Sequence, residues 1–118
     1  MTHSFHRAAR VDEMVEGKPT GLIVAGWPVL LAMSEGQIRA VIDRCTHAAS
    51  ELSTGRIRHG AVMCPLHGAR FELATGRCVG GAYKALMLFE TRIAGEWIEV
   101  AVPDEPPGFE HLPVRARA

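Results

Sequence analysis

Apolar and polar residues along this chain follow the two-residue period of β-strands over most of its length. Residues 37–43, QIRAVID, alternate polar with apolar side chains, as expected for a strand with one buried face. Residues 21–25 and 28–33 are rich in Val, Ile and Leu and are separated by Gly26-Trp27. This spacing predicts two strands that pair as neighbours.

Further short strands are predicted downstream of these three. The turn signals between them are Ser34-Glu35-Gly36, Thr75-Gly76 and Ala94-Gly95. The predicted strands lie at residues 61–63 and 69–72, and a closing hairpin is predicted from residues 85–93 and 96–102. Helical character is confined to residues 11–16, where acidic residues fall in what would be the first turn. Many short strands between turns predict an antiparallel β-sandwich or small barrel.

The length of 118 residues allows one domain with a single core. We assign residues 1–102 to that domain and residues 103–118 to a tail. Four of the seven prolines fall in the tail, which predicts an extended segment along the surface or a frayed end.

Charge and hydropathy narrow the range of partners. There are 13 Lys and Arg against 13 Asp and Glu, so nothing in the net charge favours nucleic acid or an anionic membrane. The longest apolar runs are about five residues, far below the roughly 20 needed to span a bilayer. The first residues are followed by charge rather than by the apolar stretch of a secretory signal, so we expect a cytoplasmic protein. Three scattered cysteines do not form a disulfide framework.

Potential metal ligands are concentrated in residues 44–71, RCTHAASELSTGRIRHGAVMCPLHGARF. Cys45 and His47 form one pair, Cys64 and His67 form a second, and 16 residues separate the two pairs. Two thiolates with two imidazoles can hold one Zn²⁺ in a tetrahedron, or a [2Fe–2S] cluster with the cysteines on one iron and the histidines on the other. Structural zinc sites usually group cysteines with cysteines, whereas each pair here is mixed, which favours the cluster. Any one of the four residues alone would be read as a packed cysteine or a hydrogen-bonded histidine.

This motif resembles the signature of Rieske iron–sulfur proteins. The stretches RCTHAASELSTG and CPLHGARFELATGR are similar to the soluble Rieske ferredoxins that serve bacterial aromatic ring-hydroxylating dioxygenases. The resemblance implies an all-β Rieske fold, with a small cluster-binding subdomain at about residues 44–82 on a larger antiparallel base. It implies one [2Fe–2S] cluster per chain, with Cys45 and Cys64 on the inner iron and His47 and His67 on the outer iron.

The resemblance also implies a function. The protein would transfer single electrons from an NAD(P)H-dependent flavin reductase to the terminal oxygenase of an aromatic ring-hydroxylating dioxygenase. It would be an electron carrier and not itself an enzyme. For a diffusing carrier we expect a monomer. The docking surface would surround the two histidines and include Ala48, Ala49, Leu66 and Gly68.

Two departures from the Rieske proteins of respiratory and photosynthetic complexes have consequences. Those relatives carry an additional cysteine in each loop and join the two by a disulfide, but the matching positions here are Ser50 and Leu66. They also place a serine and a tyrosine to donate hydrogen bonds toward the cluster, where this chain has Ala69 and Phe71. Fewer donors to sulfur lower the potential, so we expect a value near the bottom of the Rieske range, about −150 mV.

Three other functions remain open on the sequence. One is a small subunit like those of assimilatory nitrite reductases, which the four intact ligands disfavour. Another is an effector ferredoxin of a diiron monooxygenase, and the third is a zinc-bound structural or interaction module. Outside the motif, Cys78 is expected to be a packed thiol and His59 a solvated turn residue.

Overall fold

The computed structural model describes residues 2–46, 48–66 and 68–113, and within these ranges the chain forms ten β-strands and no α-helix. The strands are β1 (His3–Arg10), β2 (Thr20–Val24), β3 (Trp27–Ser34), β4 (Gln37–Ile42), β5 (Arg56–Arg58), β6 (Ala61–Met63), β7 (Arg70–Glu72), β8 (Leu88–Phe89), β9 (Thr91–Ala94) and β10 (Trp97–Pro103). Single 3-10 turns lie at Val11–Glu13, Leu52–Thr54 and Phe109–His111. No helix in the described part of the chain is long and apolar enough to cross a membrane.

The strands form three antiparallel sheets. One has the order β1-β10-β9, the second β2-β3-β4-β8, and the third β5-β6-β7. The third sheet is inserted in the sequence between β4 and β8, so the chain leaves the second sheet, builds the small sheet and returns. The all-β prediction is confirmed.

The core is centred on β3, which has hydrogen-bonded neighbours on both edges. Leu30 and Leu31 are consecutive and both fully buried. Successive side chains of a strand point to opposite faces, so both faces of β3 are covered. The same core cluster extends from β3 to Phe71 of β7 and to Val100 of β10, and it therefore joins the small sheet to the base.

Tight turns with two positive φ angles close three of the hairpins. Each pair ends in glycine, which adopts a positive φ without steric cost, and type I′ hairpin turns need a positive φ at both central residues. These pairs are Ala25-Gly26, Glu35-Gly36 and His59-Gly60. The first two connect β2 to β3 and β3 to β4, in agreement with the predicted pairing of the strands at residues 21–25 and 28–33.

The helix expected at residues 11–16 is wrong. Only the 3-10 turn at Val11–Glu13 forms, and the backbone is extended again at Met14. Glu16 instead forms a parallel bridge with Met33, and its carboxylate accepts hydrogen bonds from the backbone N–H groups of the Glu35-Gly36 turn at 2.9 and 3.0 Å. These tertiary hydrogen bonds outweigh the weak local helical preference.

The single strand expected at residues 85–93 is divided in the structure. Leu88–Phe89 pairs with β4 in the second sheet, and Thr91–Ala94 pairs with β10 in the first. The chain changes sheets at Glu90, whose carbonyl accepts the N–H of Ala101 at 2.9 Å. The closing hairpin of β9 and β10 around Ala94-Gly95 is present as predicted.

The first strand, β1, was not among the predicted strands. It pairs antiparallel with β10, and none of its residues is fully buried: four of the eight are exposed and four are half-buried, so its sequence shows no apolar alternation. The hydroxyls of Thr2 and Ser4 donate to the Asp104 carboxylate at 2.6 Å each. These hydrogen bonds lower the pKa of Asp104 and connect the first residues of the chain to the end of β10.

Residues 104–113, which follow β10, lie against the base. Trp27 donates its indole N–H to the carbonyl of Glu105 at 3.0 Å, and the Trp27 ring lies 5.0 Å from the ring of His111. Arg44 donates through Nε to the carbonyl of Leu112 at 3.2 Å. This part of the tail is therefore held by side-chain contacts that its proline content did not indicate. Residues 114–118 lie outside the described ranges.

Candidate metal centre

The two predicted ligand cysteines lie in two connections, one that leads into the small sheet and one between two of its strands. Cys45 lies in the connection from β4 to β5, directly after the half-buried Arg44. Cys64 lies in the connection from β6 to β7 and follows the last residue of β6. The antiparallel pairing of β5, β6 and β7 places the end of the first connection and both ends of the second in one small sheet.

The first loop is closed by two backbone hydrogen bonds on Cys45. Its N–H donates to the carbonyl of Ser50 at 2.9 Å, and its carbonyl accepts the N–H of Ala49 at 2.7 Å. Ala49 has a φ of 57°, which costs a non-glycine residue about 1 to 2 kcal/mol. Strain of this kind persists where surrounding contacts over-determine a conformation, and it is concentrated at functional sites.

The second loop repeats this pattern around Cys64. Its N–H donates to the carbonyl of Ala69 at 2.7 Å, and its carbonyl accepts the N–H of Gly68 at 3.1 Å. Gly68 has a φ of 76°, so the left-handed residue again stands four positions after the cysteine. Both cysteines therefore occupy the same position in two loops of similar backbone hydrogen bonding.

Both cysteines are buried, with 0% of Cys45 and 1% of Cys64 exposed, and both belong to the hydrophobic core cluster. The hydroxyl oxygen of Ser50 lies 3.3 Å from the sulfur of Cys64, which joins the first loop to the second. Two buried sulfurs on two facing loops suit the thiolate half of a mixed ligand set, since a metal group would neutralise charge that an apolar core alone would not tolerate.

His47 and His67 lie outside the described residues. Within residues 2–46, 48–66 and 68–113, no group of three or more His, Cys, Asp or Glu side chains lies close enough to hold a metal ion.

A third loop is attached to the first. Thr46, next to Cys45, donates its hydroxyl to the carbonyl of Lys84 at 2.6 Å. The preceding Gly80 and Gly81 both have positive φ, and the loop backbone bends through them.

Asp43 stabilises the first loop through hydrogen bonds with Ser53. Its carboxylate is buried and accepts two hydrogen bonds from Ser53, from the backbone N–H at 2.7 Å and from the hydroxyl at 2.6 Å. Gly21 of β2 makes this approach possible, because a Cβ there would lie 2.6 Å from the Ser53 hydroxyl oxygen and 2.9 Å from the carboxylate. Asp43 thereby holds both ends of the segment that contains Cys45.

We expect Asp43→Asn to lower the free energy of unfolding by about 2 kcal/mol, because one amide N–H₂ would face a Ser53 donor inside the core. For a domain of this size that loss lowers Tm by roughly 8 °C. Ser53→Ala removes one hydrogen bond of the pair and should cost less, about 1 kcal/mol. Thermal unfolding followed by circular dichroism measures both, and an Asp43→Asn protein with unchanged Tm would contradict the supporting role.

The remaining candidate residues are placed elsewhere. Cys78 is half-buried at the edge of the core, forms a backbone bridge with Phe71, and has its sulfur 3.6 Å from the carbonyl of Val79. His59 is exposed in the turn between β5 and β6. Neither is brought into the two ligand loops by these contacts.

Two residues near the cysteines were missed by sequence reasoning. In the sequence analysis, Ser50 was treated only as a position that lacks a cysteine. Ser50 stands five positions after Cys45, as Ala69 stands five positions after Cys64, so the two residues match. Asp43 was assigned to the polar side of an alternating strand. The sequence feature that could have identified Asp43 is its position, directly after three apolar residues of β4 and immediately before the first loop.

The chain is similar to known proteins in sequence and in fold. A family model described as the Rieske [2Fe-2S] domain matches residues 4–90. The ferredoxin component of the naphthalene 1,2-dioxygenase/salicylate 5-hydroxylase systems of Ralstonia sp. is 37% identical over 79 residues, which cover 67% of this chain and 76% of that protein.

Solved structures show the same architecture. The ferredoxin of carbazole 1,9a-dioxygenase from Nocardioides aromaticivorans IC177 superposes with a TM-score of 0.76 at 26% identity, covering 82% of this chain and 96% of that chain. A chain from a complex of reduced oxygenase and oxidised ferredoxin in carbazole 1,9a-dioxygenase gives a TM-score of 0.77 at 25% identity, with 82% and 92% covered.

Proposed function

Because the chain belongs to the Rieske [2Fe-2S] domain family, we propose that it passes single electrons to the terminal oxygenase of an aromatic ring-hydroxylating dioxygenase. It binds a Rieske-type [2Fe–2S] cluster and is an electron carrier rather than the catalytic component. When bound, the cluster supplies a centre that gains and loses one electron. The observation that carries the proposal is the pair of buried cysteines, held in two loops of matching hydrogen bonding within a chain of this family.

We further propose the ligand set Cys45, His47, Cys64 and His67. The burial of both sulfurs supports the two cysteines, and their spacing from the histidines supports the mixed pairs. In this assignment the apolar core around the sulfurs excludes water, and the short hydrogen-bonded loops hold each sulfur in a fixed position.

The surface beside the second loop suits a transient partner. Pro65, Leu66 and Gly68 are exposed although the adjacent Cys64 is buried, and 60% of Leu66 is accessible. An exposed apolar side chain next to a buried redox centre gives a short electron path and a small contact area. Two proteins that meet through a small redox interface of this kind dissociate quickly. The electron donor in this proposal is an NAD(P)H-dependent flavin reductase, and the carrier acts as a monomer.

Anaerobic single-turnover mixing tests the function. The protein is reduced with dithionite, freed of excess reductant and mixed with the oxidised oxygenase component of a naphthalene 1,2-dioxygenase system, and visible absorbance is followed. We expect reoxidation of the carrier, with one electron per chain delivered. A reduced protein that keeps its electron but changes the product yield of a diiron monooxygenase would contradict the proposal and favour an effector ferredoxin.

Leu66→Glu should slow this transfer by about tenfold, equivalent to about 1.4 kcal/mol, because it replaces an apolar contact beside the second loop by a charge. Ile93→Glu is the matched control: Ile93 is 59% exposed, like Leu66, but lies on β9 of the base. Second-order rate constants from the same mixing experiment measure both variants. Equal rates for the two variants would contradict a docking surface at the second loop.

A further inference from the structure

Ser50 makes a contact that crosses from one ligand loop to the other. Its hydroxyl oxygen lies 3.3 Å from the sulfur of Cys64, while its backbone carbonyl accepts the N–H of Cys45 at 2.9 Å. The side chain is half-buried, and its backbone is fixed by the closed first loop. The hydroxyl is therefore held beside the sulfur by the same hydrogen bond that positions the first cysteine.

The direction of this hydrogen bond follows from the state of the sulfur. Geometry alone allows either atom to donate. A metal-bound cysteine is a thiolate and has no proton to give, so the hydroxyl must donate and the sulfur must accept. A hydrogen bond to a charged acceptor is roughly twice as strong as one between neutral groups.

We propose that Ser50 is a positioning residue that donates a hydrogen bond to the Cys64 thiolate and thereby raises the reduction potential of the centre. The inference rests on the proposed function, since it takes Cys64 as a ligand. Reduction adds negative charge to the centre, and a donor aimed at a ligand sulfur stabilises the more negative state.

The matching position of the second loop has no such group. Ala69 stands five residues after Cys64, as Ser50 does after Cys45, and it is buried without a hydroxyl. The two loops are therefore alike in the backbone hydrogen bonds of Cys45 and Cys64, and they differ at this matching position, where the first has a hydroxyl and the second has none. A substitution of Ser50 therefore removes the hydroxyl beside the Cys64 sulfur and leaves Ala69, the matching residue of the second loop, unchanged.

The test is a redox titration of the loaded protein, followed by visible absorbance and by electron paramagnetic resonance. Ser50→Ala should keep its iron content and rhombic signal, while its midpoint falls by about 59 mV, which for one electron is a tenfold change in the ratio of reduced to oxidised protein. Ser50→Thr retains the hydroxyl and should keep the wild-type midpoint. Ser50→Val has the shape of the threonine variant without the hydroxyl and should match Ser50→Ala.

Controls separate the possible failures. Ser53→Ala removes a hydroxyl of the same connection that donates to Asp43, so it should lower Tm and leave the midpoint unchanged. If Ser50→Ala does not hold iron, comparison of the midpoints of Ser50→Thr and Ser50→Val shows whether the hydroxyl raises the potential. Equal midpoints for that pair, or a wild-type midpoint in Ser50→Ala, would overturn the role of Ser50. A wild-type protein without any iron–sulfur signal would instead overturn the proposed function.

Discussion

Replacement of Cys64 by serine is expected to abolish the iron–sulfur centre. Serine has nearly the shape of cysteine, so the buried second loop can keep its hydrogen bonds to Ala69 and Gly68 while the thiolate is lost. Iron content should fall from about two per chain to near zero, and the paramagnetic signal of the reduced protein should disappear. Cys45→Ser should have the same effect, because Cys45 occupies the same position in the first loop.

Cys78→Ser is the matched control for this prediction. It is the third cysteine of the chain, and it is half-buried at the edge of the core rather than in a ligand loop. Full iron content in Cys78→Ser together with loss in both Cys64→Ser and Cys45→Ser would assign the two buried cysteines to the centre. Loss of iron in Cys78→Ser, or its full retention in Cys64→Ser, would contradict the ligand assignment.

Gly55→Ala is expected to be the most damaging substitution outside the ligands. Gly55 ends the 3-10 turn before β5, and a Cβ built there would overlap the backbone carbonyl oxygen of Met63. Its φ of −87° is accessible to alanine, so the cost is steric rather than conformational. Since Met63 directly precedes Cys64, relief of the overlap must move β6 or the start of the second loop.

We expect a loss of about 3 kcal/mol or more, and hence a Tm lowered by roughly 12 °C, together with reduced iron content. Gly17→Ala is a control with open space: no atom lies within 4 Å of its Cβ position, and its φ of 79° costs about 1 to 2 kcal/mol. That variant should retain its iron. Thermal unfolding and iron analysis of both proteins measure the difference, and equal losses would show that close packing against Met63 is unimportant.

The sequence predicts strands where burial leaves a regular pattern. The run at residues 28–33 and the alternation at 37–43 correspond to β3 and β4, which lie inside a sheet and contribute much of the core. β1 leaves no such pattern because half of its residues are exposed and none is fully buried. Its place depends on pairing with β10, more than eighty residues away in the sequence, which a local pattern does not contain.

In the candidate site, too, the local sequence predicts some features, while others depend on the fold. The cysteine and histidine spacing is local and predicts the ligands directly. The contact of Ser50 with Cys64 is not local, since it depends on how closely the two loops approach after β5, β6 and β7 have formed. The support of the first loop by Asp43 likewise requires Gly21 of β2 to lie against Ser53. Sequence reasoning thus predicts a ligand set but not the side chains that contact Cys64 or the ends of the first loop.

Electron paramagnetic resonance of the dithionite-reduced protein, with iron and acid-labile sulfide determined on the same sample, addresses the nature of the centre directly. We predict a rhombic signal with an average g value typical of mixed nitrogen and sulfur ligation, and about two irons and two sulfides per chain. A colourless protein without a signal, containing about one zinc per chain, would contradict the electron-transfer function and leave a structural zinc module.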